Sequence, residues 1–420
     1  MSAGAIGPER RLIDACVHCG FCLPACPTYQ LSANEAESPR GRIDLMRRYS
    51  DGALKLDSDF VAHIDSCLGC MACVKACPSG VEYETLIVEA RAMIQASFVR
   101  PASQRLVRKA IFALMPYPRR MRPLVRLGGM AKQMFGSRVV AAAGARGGLA
   151  GAVASALALL PRTTGAARPA RNRLYSAAGP KRGTVGLLTG CVSSVIFSST
   201  EQAAIDVLRA EGFDVLVPAG QGCCGALAEH AGEARLAGRL ARAMVGKLGR
   251  ERVDAWITTS AGCGSTLKSY DRLLADDTAA AEFSGRIRDI HEFLYQKGLR
   301  ADYGPLNIRV AYHPACHLAN AQGIVDEPLA LLRSIPGCEV LTPAQAGTCC
   351  GSAGIYNLVE PATAERLGVA KAASIAELGV DVVATGNPGC LLQISRYSDP
   401  GLESTHPVEL LARALHAAPV

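Results

Sequence analysis

A multidomain α + α/β architecture is what this sequence predicts: an all-α unit carrying two four-cysteine metal motifs, then a duplicated α/β unit. Three observations predict it. The 17 cysteines of the 420-residue chain fall in tight groups rather than singly. The eight within residues 1–100 repeat one spacing twice. Eight of the remaining nine form one pattern given twice across residues 183–420, among apolar runs of strand length that alternate with helical patterns. A chain of 420 residues has room for two or three domains with a buried core. Its 49% hydrophobic and 20% charged residues exclude a disordered or fibrous protein. The expected divisions are 1–100, an α-helical cysteine unit; 101–182, a basic helical linker; 183–304 and 305–420, two copies of one α/β unit.

The first unit contains Cys16-x2-Cys19-x2-Cys22-x3-Cys26-Pro27 and then Cys67-x2-Cys70-x2-Cys73-x3-Cys77-Pro78. This is the bacterial ferredoxin run for a [4Fe–4S] cube, present twice. Two-residue gaps let a tight turn wrap three thiolates around three irons. The fourth cysteine, set further on before proline, reaches the other cube. The expected ligands are therefore Cys16, Cys19, Cys22 and Cys77 for one cluster, and Cys67, Cys70, Cys73 and Cys26 for the other. Four cysteines also suit zinc, but zinc ribbons use two separated Cys-x2-Cys pairs. Gly20, Gly69, Ala25, Ala72 and Ala76 permit close backbone approach to the sulfurs. The 40 residues between Cys26 and Cys67 carry helical patterns with Asp57 or Ser58 as N-cap, which favours an all-α, two-cluster ferredoxin-like unit. His18, inside the first motif, reads as a solvated loop residue.

The net charge of +8 conceals an asymmetry. Between Arg100 and Arg182 there are 17 Lys or Arg and no Asp or Glu, so the rest of the chain is net acidic. Helical runs such as RLVRKAIFALM and RPLVRLGGMAKQMF in this stretch suit an anionic membrane surface or an acidic partner face, or a plain solvated linker. The longest apolar stretch, Val139 to Leu160, is interrupted by Arg146, and its charge-free part is 14 residues. That is short of the ~20 needed to span a bilayer, so no transmembrane helix is expected. The first residues lack an apolar h-region, which points to a reducing, cytoplasmic compartment where clustered cysteines hold metal. Aromatics at 5% with one Trp leave little for stacking on nucleic acid. A metal-containing nucleic-acid-binding protein is thus the remote alternative, resting on the basic run alone.

The third zone is an internal duplication. Cys191, Cys223-Cys224-Gly225 and Cys263 in the first half match Cys316, Cys349-Cys350-Gly351 and Cys390 in the second, at offsets of 125, 126 and 127 residues. The apolar runs match as well: 184–191 with 308–316, 213–218 with 338–343, and 254–263 with 381–390. Strands alternating with helices argue parallel βαβ units, with the cysteines at strand ends where open α/β sheets usually build sites. Gly379 is the expected C-cap of a long helix in the second half. Cys338 has no counterpart and reads as a buried apolar cysteine. The zones are expected to fold independently of one another.

No G-x-G-x-x-G follows a strand, and there is no P-loop and no nucleophile elbow. No flavin is expected in this chain, and no catalytic residue. Electrons must arrive from a partner.

In the stretches CVHCGFCLPACPTY, ESPRGRIDLM, CLGCMACVKACPSGVEY, LTGCV, QGCCGALAEHAG, HPACHLANAQG, CCGSAGIYNL and ATGNPGC, the chain resembles the iron–sulfur subunits of bacterial glycolate oxidase (glycolate dehydrogenase) over nearly its whole length. The wider group of Cys-Cys-Gly proteins includes heterodisulfide-reductase, lactate-utilisation and anaerobic glycerol-3-phosphate dehydrogenase small subunits. The resemblance implies two [4Fe–4S] clusters and a flavin-containing partner subunit that oxidises glycolate to glyoxylate. It also implies onward transfer toward a quinone or similar acceptor, in the cytoplasm or peripherally on the inner face of the cytoplasmic membrane. The same role in another hydroxy-acid or glycerol-3-phosphate dehydrogenase is the alternative. In heterodisulfide reductases similar halves end in Cys-x2-Cys and hold a five-cysteine cluster; here Ser260 and Asn387 stand where the first cysteine of each pair would be. Three readings of Cys191, Cys223, Cys224, Cys263, Cys316, Cys349, Cys350 and Cys390 therefore stand: an additional four-cysteine iron–sulfur site, with Ser260 or Asn387 as a weak fifth ligand, a thiol relay, or a scaffold without cofactor. His313 and His317 flank Cys316 and read as loop histidines bonding backbone rather than as nitrogen ligands.

Overall fold

The computed structural model describes residues 7–144, 148–160 and 169–418. The start of the chain, Arg146 and part of the basic segment lie outside the described residues.

Helices alone build the chain up to residue 172 among the described residues. Prolines and short polar caps start them. Pro27, directly after the fourth cysteine of the first motif, opens the helix Pro27–Ser32, so the Cys-Pro step is the point where the loop becomes helix. Ser38 accepts a bond from the Gly41 N–H ahead of the helix Pro39–Ser50. Asp57, not Ser58, caps Ser58–Asp65 by accepting from the Phe60 N–H at 2.9 Å. The apolar faces of these helices and of Tyr83–Ser97 meet in one core around Ile43, Met46, Phe60, Ile64, Leu86 and Ile94.

Nine strands follow among the described residues: β1 (Arg173–Tyr175), β2 (Gly183–Leu188), β3 (Phe213–Val217), β4 (Ala255–Thr258), β5 (Ile287–Asp289), β6 (Ile308–Tyr312), β7 (Cys338–Leu341), β8 (Val382–Ala384) and β9 (Glu403–Thr405). The first sheet runs β1-β3-β2-β4-β5 and the second β7-β6-β8-β9. Without β1, an antiparallel edge strand, the two have the same order and are parallel throughout. The six apolar runs singled out in the sequence are β2, β3, β4, β6, β7 and β8. Three-residue β1, β5 and β9 each carry charged or polar residues and so show no apolar run, unlike the equally short Val-Val-Ala of β8. Gly379, at φ +56°, turns the chain away just beyond the helix Pro361–Ala376. Cys338 opens β7 half-buried rather than sealed in the core.

The two halves share one hydrophobic core, which takes in Val185, Val215 and Phe293 from the first and Val310, Leu332 and Leu411 from the second. Helix Ser198–Ala210 packs on Pro407–Ala417, and Ile290–Lys297 packs on Glu327–Arg333, a near-twofold arrangement. The N-terminal helices dock on both halves. Asn320 donates to the Cys70 carbonyl at 2.9 Å, and Arg91 donates to the His230 carbonyl at 2.8 Å. Val107, Ile111 and Phe112 of the basic segment pack on Ala228, Ala237 and Ile355. The zones are therefore docked rather than independent: the N-terminal helices and the basic segment share apolar clusters with the two halves, although the core around Ile43 and Phe60 is built within residues 12–98.

Gly232 measures how tight that docking is. Its φ is +80°, and a Cβ there would sit 2.4 Å from the Arg91 carbonyl oxygen. Gly232→Ala should lower stability by about 1–3 kcal/mol in urea titrations. Gly246→Ala, in an exposed stretch of helix with nothing near its Cβ position, should be neutral or stabilise by about 0.5–1 kcal/mol.

Candidate metal centres

Two cavities lie side by side in the N-terminal helices. The first is lined by Cys16, Cys19, Cys22 and Cys77, with Cys73 and Tyr83 at its inner wall. The second is lined by Cys26, Cys67, Cys70 and Cys73, again with Tyr83. The fourth cysteine of each run thus lines the cavity of the other run. Soft sulfur donors, five around the first cavity and four around the second with Cys73 common to both, fit iron–sulfur cubes, and neither cavity is lined by the carboxylates that hard cations prefer.

The turns that hold the sulfurs are the same in both runs. His18 and Gly20 in the first, and Gly69 and Met71 in the second, have φ between +55° and +87°. Two of these four places are therefore occupied by residues for which a left-handed backbone costs about 1–2 kcal/mol. His18 is thus part of the turn geometry rather than a free loop residue. Its carbonyl accepts from Arg40 Nη1 at 2.9 Å, and Arg40 also lies over Gly20. Burial pushes the Cys22 thiol up, while the backbone N–H of Arg40, at the start of a helix, opposes it.

The second cavity is deeper and more strongly charged. Burial alone would push the Cys67 thiol up, yet Arg42 and Arg91, the Gly69 N–H and the Tyr83 hydroxyl together hold it below the ordinary thiol range. Gly69 N donates to Cys67 Sγ at 3.4 Å and Tyr83 Oη at 3.7 Å. Arg42 is 0% exposed and is anchored by Glu37 at 2.8 Å, Ser66 at 2.8 Å and the His63 carbonyl at 2.6 Å. Burial raises Cys70 and Cys73 well above the usual range, and the neighbouring sulfurs add to it. For Cys70 the strongest neighbour is Cys316, from the second Cys-Cys-Gly half.

In each half the four cysteines converge at the carboxyl ends of the parallel strands. Cys191 donates to Cys223 at 3.5 Å. That contact pushes Cys191 up and Cys223 down, and Cys224 in turn donates toward Cys263. In the second half Cys316, Cys349, Cys350 and Cys390 form a continuous chain of sulfur contacts. The residues in the vacant cysteine positions touch the last cysteine of each half: Ser260 bonds Cys263, and Asn387 Nδ2 donates to Cys390 Sγ at 3.4 Å.

Two sequence-model matches and a set of relatives agree with this geometry. A 4Fe-4S dicluster domain model matches residues 12–81, and a cysteine-rich domain model matches residues 185–268 and again 310–395. The chain is 36% identical, over 90% of its length and 87% of the relative's, to a Bacillus subtilis protein named a probable glycolate oxidase iron-sulfur subunit. It is 29% identical to the glycolate oxidase iron-sulfur subunit of Escherichia coli over 96% of its own length and 94% of that chain. The chain belongs to the family of glycolate oxidase iron–sulfur subunits. One of the fumarate reductase (CoM/CoB) subunits of Methanothermobacter marburgensis is a more distant kind of match, 38% identical over 50% of this chain and 41% of that one.

Within this iron–sulfur subunit, sequence reasoning found the sulfurs and missed the charges around them. Arg42 lay in view in the stretch ESPRGRIDLM, but nothing in its spacing tells a buried arginine from an exposed one. Arg91, on a helix 14 residues beyond Cys77, gave no local signal. The reading of His313 and His317 as backbone-bonded loop residues is also incorrect. His317 Nδ1 lies 3.5 Å from Cys316 Sγ, and His313 is buried with Nδ1 unpartnered among the described residues.

Arg42→Met should destabilise the metal-free chain by about 3 kcal/mol or more, because Glu37 and Cys67 lose their buried cation. Arg48→Met, which breaks an exposed pair with Asp44, should cost about 0.5 kcal/mol or less. Urea midpoints of the two variants check the contrast.

Proposed function

We propose that this chain is the electron-transfer subunit of a hetero-oligomeric glycolate dehydrogenase and holds two [4Fe–4S] clusters. Cys16, Cys19, Cys22 and Cys77 would bind one; Cys26, Cys67, Cys70 and Cys73 would bind the other. The observation that carries the reading is the crosswise lining of the two cavities, with Cys77 in the first and Cys26 in the second. Clusters bound there supply reversible one-electron oxidation and reduction. The chain's own residues balance charge, exclude water and offer a docking face. Arg42 and Arg91 offset the sulfur charge of the inner cavity. Cys19 is exposed, between Val17 and Phe21 at 66% exposure each, so the first cavity has a side open to a partner. Cys26, Cys67 and Cys73 are buried, and Cys70 faces Cys316.

The names of the two full-length relatives support glycolate as the substrate of the complex. In this reading a flavin subunit takes the hydride from the α-carbon of glycolate, forming glyoxylate, and this chain passes electrons toward a quinone or similar acceptor. Another hydroxy acid or glycerol 3-phosphate is the alternative substrate. The organisation that goes with the reading is a ferredoxin-like unit at 1–100, a basic helical segment at 101–182, and Cys-Cys-Gly units at 183–304 and 305–420. The location is the cytoplasm, with no nucleic acid as partner.

One observation favours contact with the inner face of the cytoplasmic membrane. Among the described residues no helix is long and apolar enough to cross a membrane. The helix Pro118–Gly144, however, exposes Pro123, Leu124, Leu127 and Met130 beside Arg119, Arg120 and Arg126. An apolar stripe rimmed by guanidinium groups in an acid-free segment suits anionic headgroups.

In the assembled complex, Cys19→Ala with Cys70→Ala should leave glycolate-dependent bleaching of the partner's flavin intact and drop reduction of a quinone analogue to background. Undiminished quinone reduction contradicts the electron-transfer assignment. A kcat/KM for lactate or glycerol 3-phosphate above that for glycolate transfers the role to the alternative substrate. The complex should pellet with anionic vesicles at low salt and not at high salt. Leu124→Glu with Leu127→Glu should abolish pelleting; failure to pellet at low salt ends the membrane reading.

A further inference from the structure

The two Cys-Cys-Gly halves share a fold but not a charge environment. Matching their cysteines sets Leu188 opposite His313, and Met244 and Val245 opposite Lys371. In the first half Leu188 and Met244 line a cavity with Cys224 and Cys263, together with the uncharged side chains of Thr189, Ser193, Gln221 and Ser260. The second half has an imidazole and an ammonium in their place.

Both are buried, His313 at 2% exposure and Lys371 at 1%. Lys371 Nζ donates to the Gln345 carbonyl and, at 3.4 Å, to the Ala346 carbonyl, and forms no ion pair among the described residues. Burial pushes the Lys371 ammonium down, and the groups placed to oppose that, once ionised, are the sulfurs of Cys350, Cys349, Cys390 and Cys316. An ammonium taken out of water without a counter-charge costs several kcal/mol, so a fold that keeps one places negative charge beside it. His313 adds a second unbalanced group. Its Nδ1 has no hydrogen-bond partner among the described residues. One of its ring nitrogens and the sulfurs of Cys350 and Cys390 all lie within 4.8 Å of one another. A buried imidazole nitrogen without a partner is unfavourable, and a metal ion at that nitrogen satisfies it.

We propose that the second Cys-Cys-Gly half, and not the first, holds a third metal centre: iron bound by Cys350, Cys390 and a ring nitrogen of His313, with Lys371 balancing the thiolate charge. Thiolates with imidazole suit iron or zinc. Position selects iron, and here the inference rests on the two-cluster reading above. Cys316 and Cys349 share an apolar cluster with Leu68 and Cys70, so the site adjoins the inner [4Fe–4S] cavity, where redox-silent zinc serves no purpose. The first half, with Leu188 and Met244 at the matching positions, keeps its cysteines as hydrogen-bonded thiols and acts as scaffold.

Iron and zinc per chain, measured on the anaerobically purified full chain together with low-temperature EPR of the reduced protein, test this. The wild type should hold more iron than the about eight atoms of two cubes. Cys350→Ser with Cys390→Ser should lose the excess and keep both cube signals, while Cys224→Ser with Cys263→Ser should change neither. Lys371→Met removes no ligand and should retain the fold. It should release the third centre's iron at about tenfold lower chelator concentration. His313→Ala should lose the excess iron, and His313→Cys should restore it. About eight irons in the wild type, zinc in the second half, or equal loss from both halves overturns the proposal. Two intact cube signals in that event leave the two-cluster reading standing; their absence removes that reading as well.

Discussion

Negative charge on buried sulfur is the constraint around which this molecule is organised. A thiolate in a protein interior needs cations or N–H groups close by, and each sulfur group here has a different supply. Around Cys67 it is two guanidinium groups, a backbone amide and a phenol. Around Cys22 it is the backbone N–H of Arg40 at the start of a helix. In the Cys-Cys-Gly halves, Cys263 and Cys390 each sit in the first turn of a helix, Ala261–Lys268 and Pro388–Tyr397, where the helix dipole favours negative charge. The left-handed backbone at His18 and Met71, costly in itself, persists because it aims amides and sulfurs at one point.

That constraint also explains why the parts of the chain are interlocked. Arg91 serves two units at once: one nitrogen bonds the Ile64 carbonyl beside the inner cavity and another bonds the His230 carbonyl of the first half. Cys70 lies against Cys316, so the inner cavity and the second half share a wall. The near-twofold packing of helices between the halves brings their last-cysteine loops together. Ala261 N–H bonds the Gly386 carbonyl at 3.0 Å, and Gly262 N–H bonds Asn387 Oδ1 at 3.2 Å. Duplication supplied two similar sulfur sites, and the side chains at matching positions, Leu188 and Met244 in one and His313 and Lys371 in the other, made them unequal.

Much of this was legible in the residues themselves. Cysteine spacing is a covalent property of the chain, so the grouping of Cys77 with the first run and Cys26 with the second could be read from it. Six strands showed as apolar runs, even the three-residue Val-Val-Ala of β8, because their side chains are apolar and lead into a cysteine or a turn. Strands β1, β5 and β9, with the sequences Arg-Leu-Tyr, Ile-Arg-Asp and Glu-Ser-Thr, did not, since charged and polar residues break the run and their place is set by neighbours in the sheet. The interlocking was invisible for a related reason. Leu68 and Tyr356, in one apolar cluster, are far apart in sequence, and either alone reads as an ordinary core residue. Arg42, Lys371 and His313 were misjudged or passed over because sequence gives the charge of a side chain but not its burial.

The central claim is that the N-terminal sulfurs form two crosswise cages for iron. Iron-edge anomalous diffraction from anaerobically grown crystals tests it directly. The account predicts anomalous density bounded by Cys16, Cys19, Cys22 and Cys77, and a second body of density bounded by Cys26, Cys67, Cys70 and Cys73. Density in which Cys26 joins Cys16, Cys19 and Cys22, or no iron in either cavity, would contradict it.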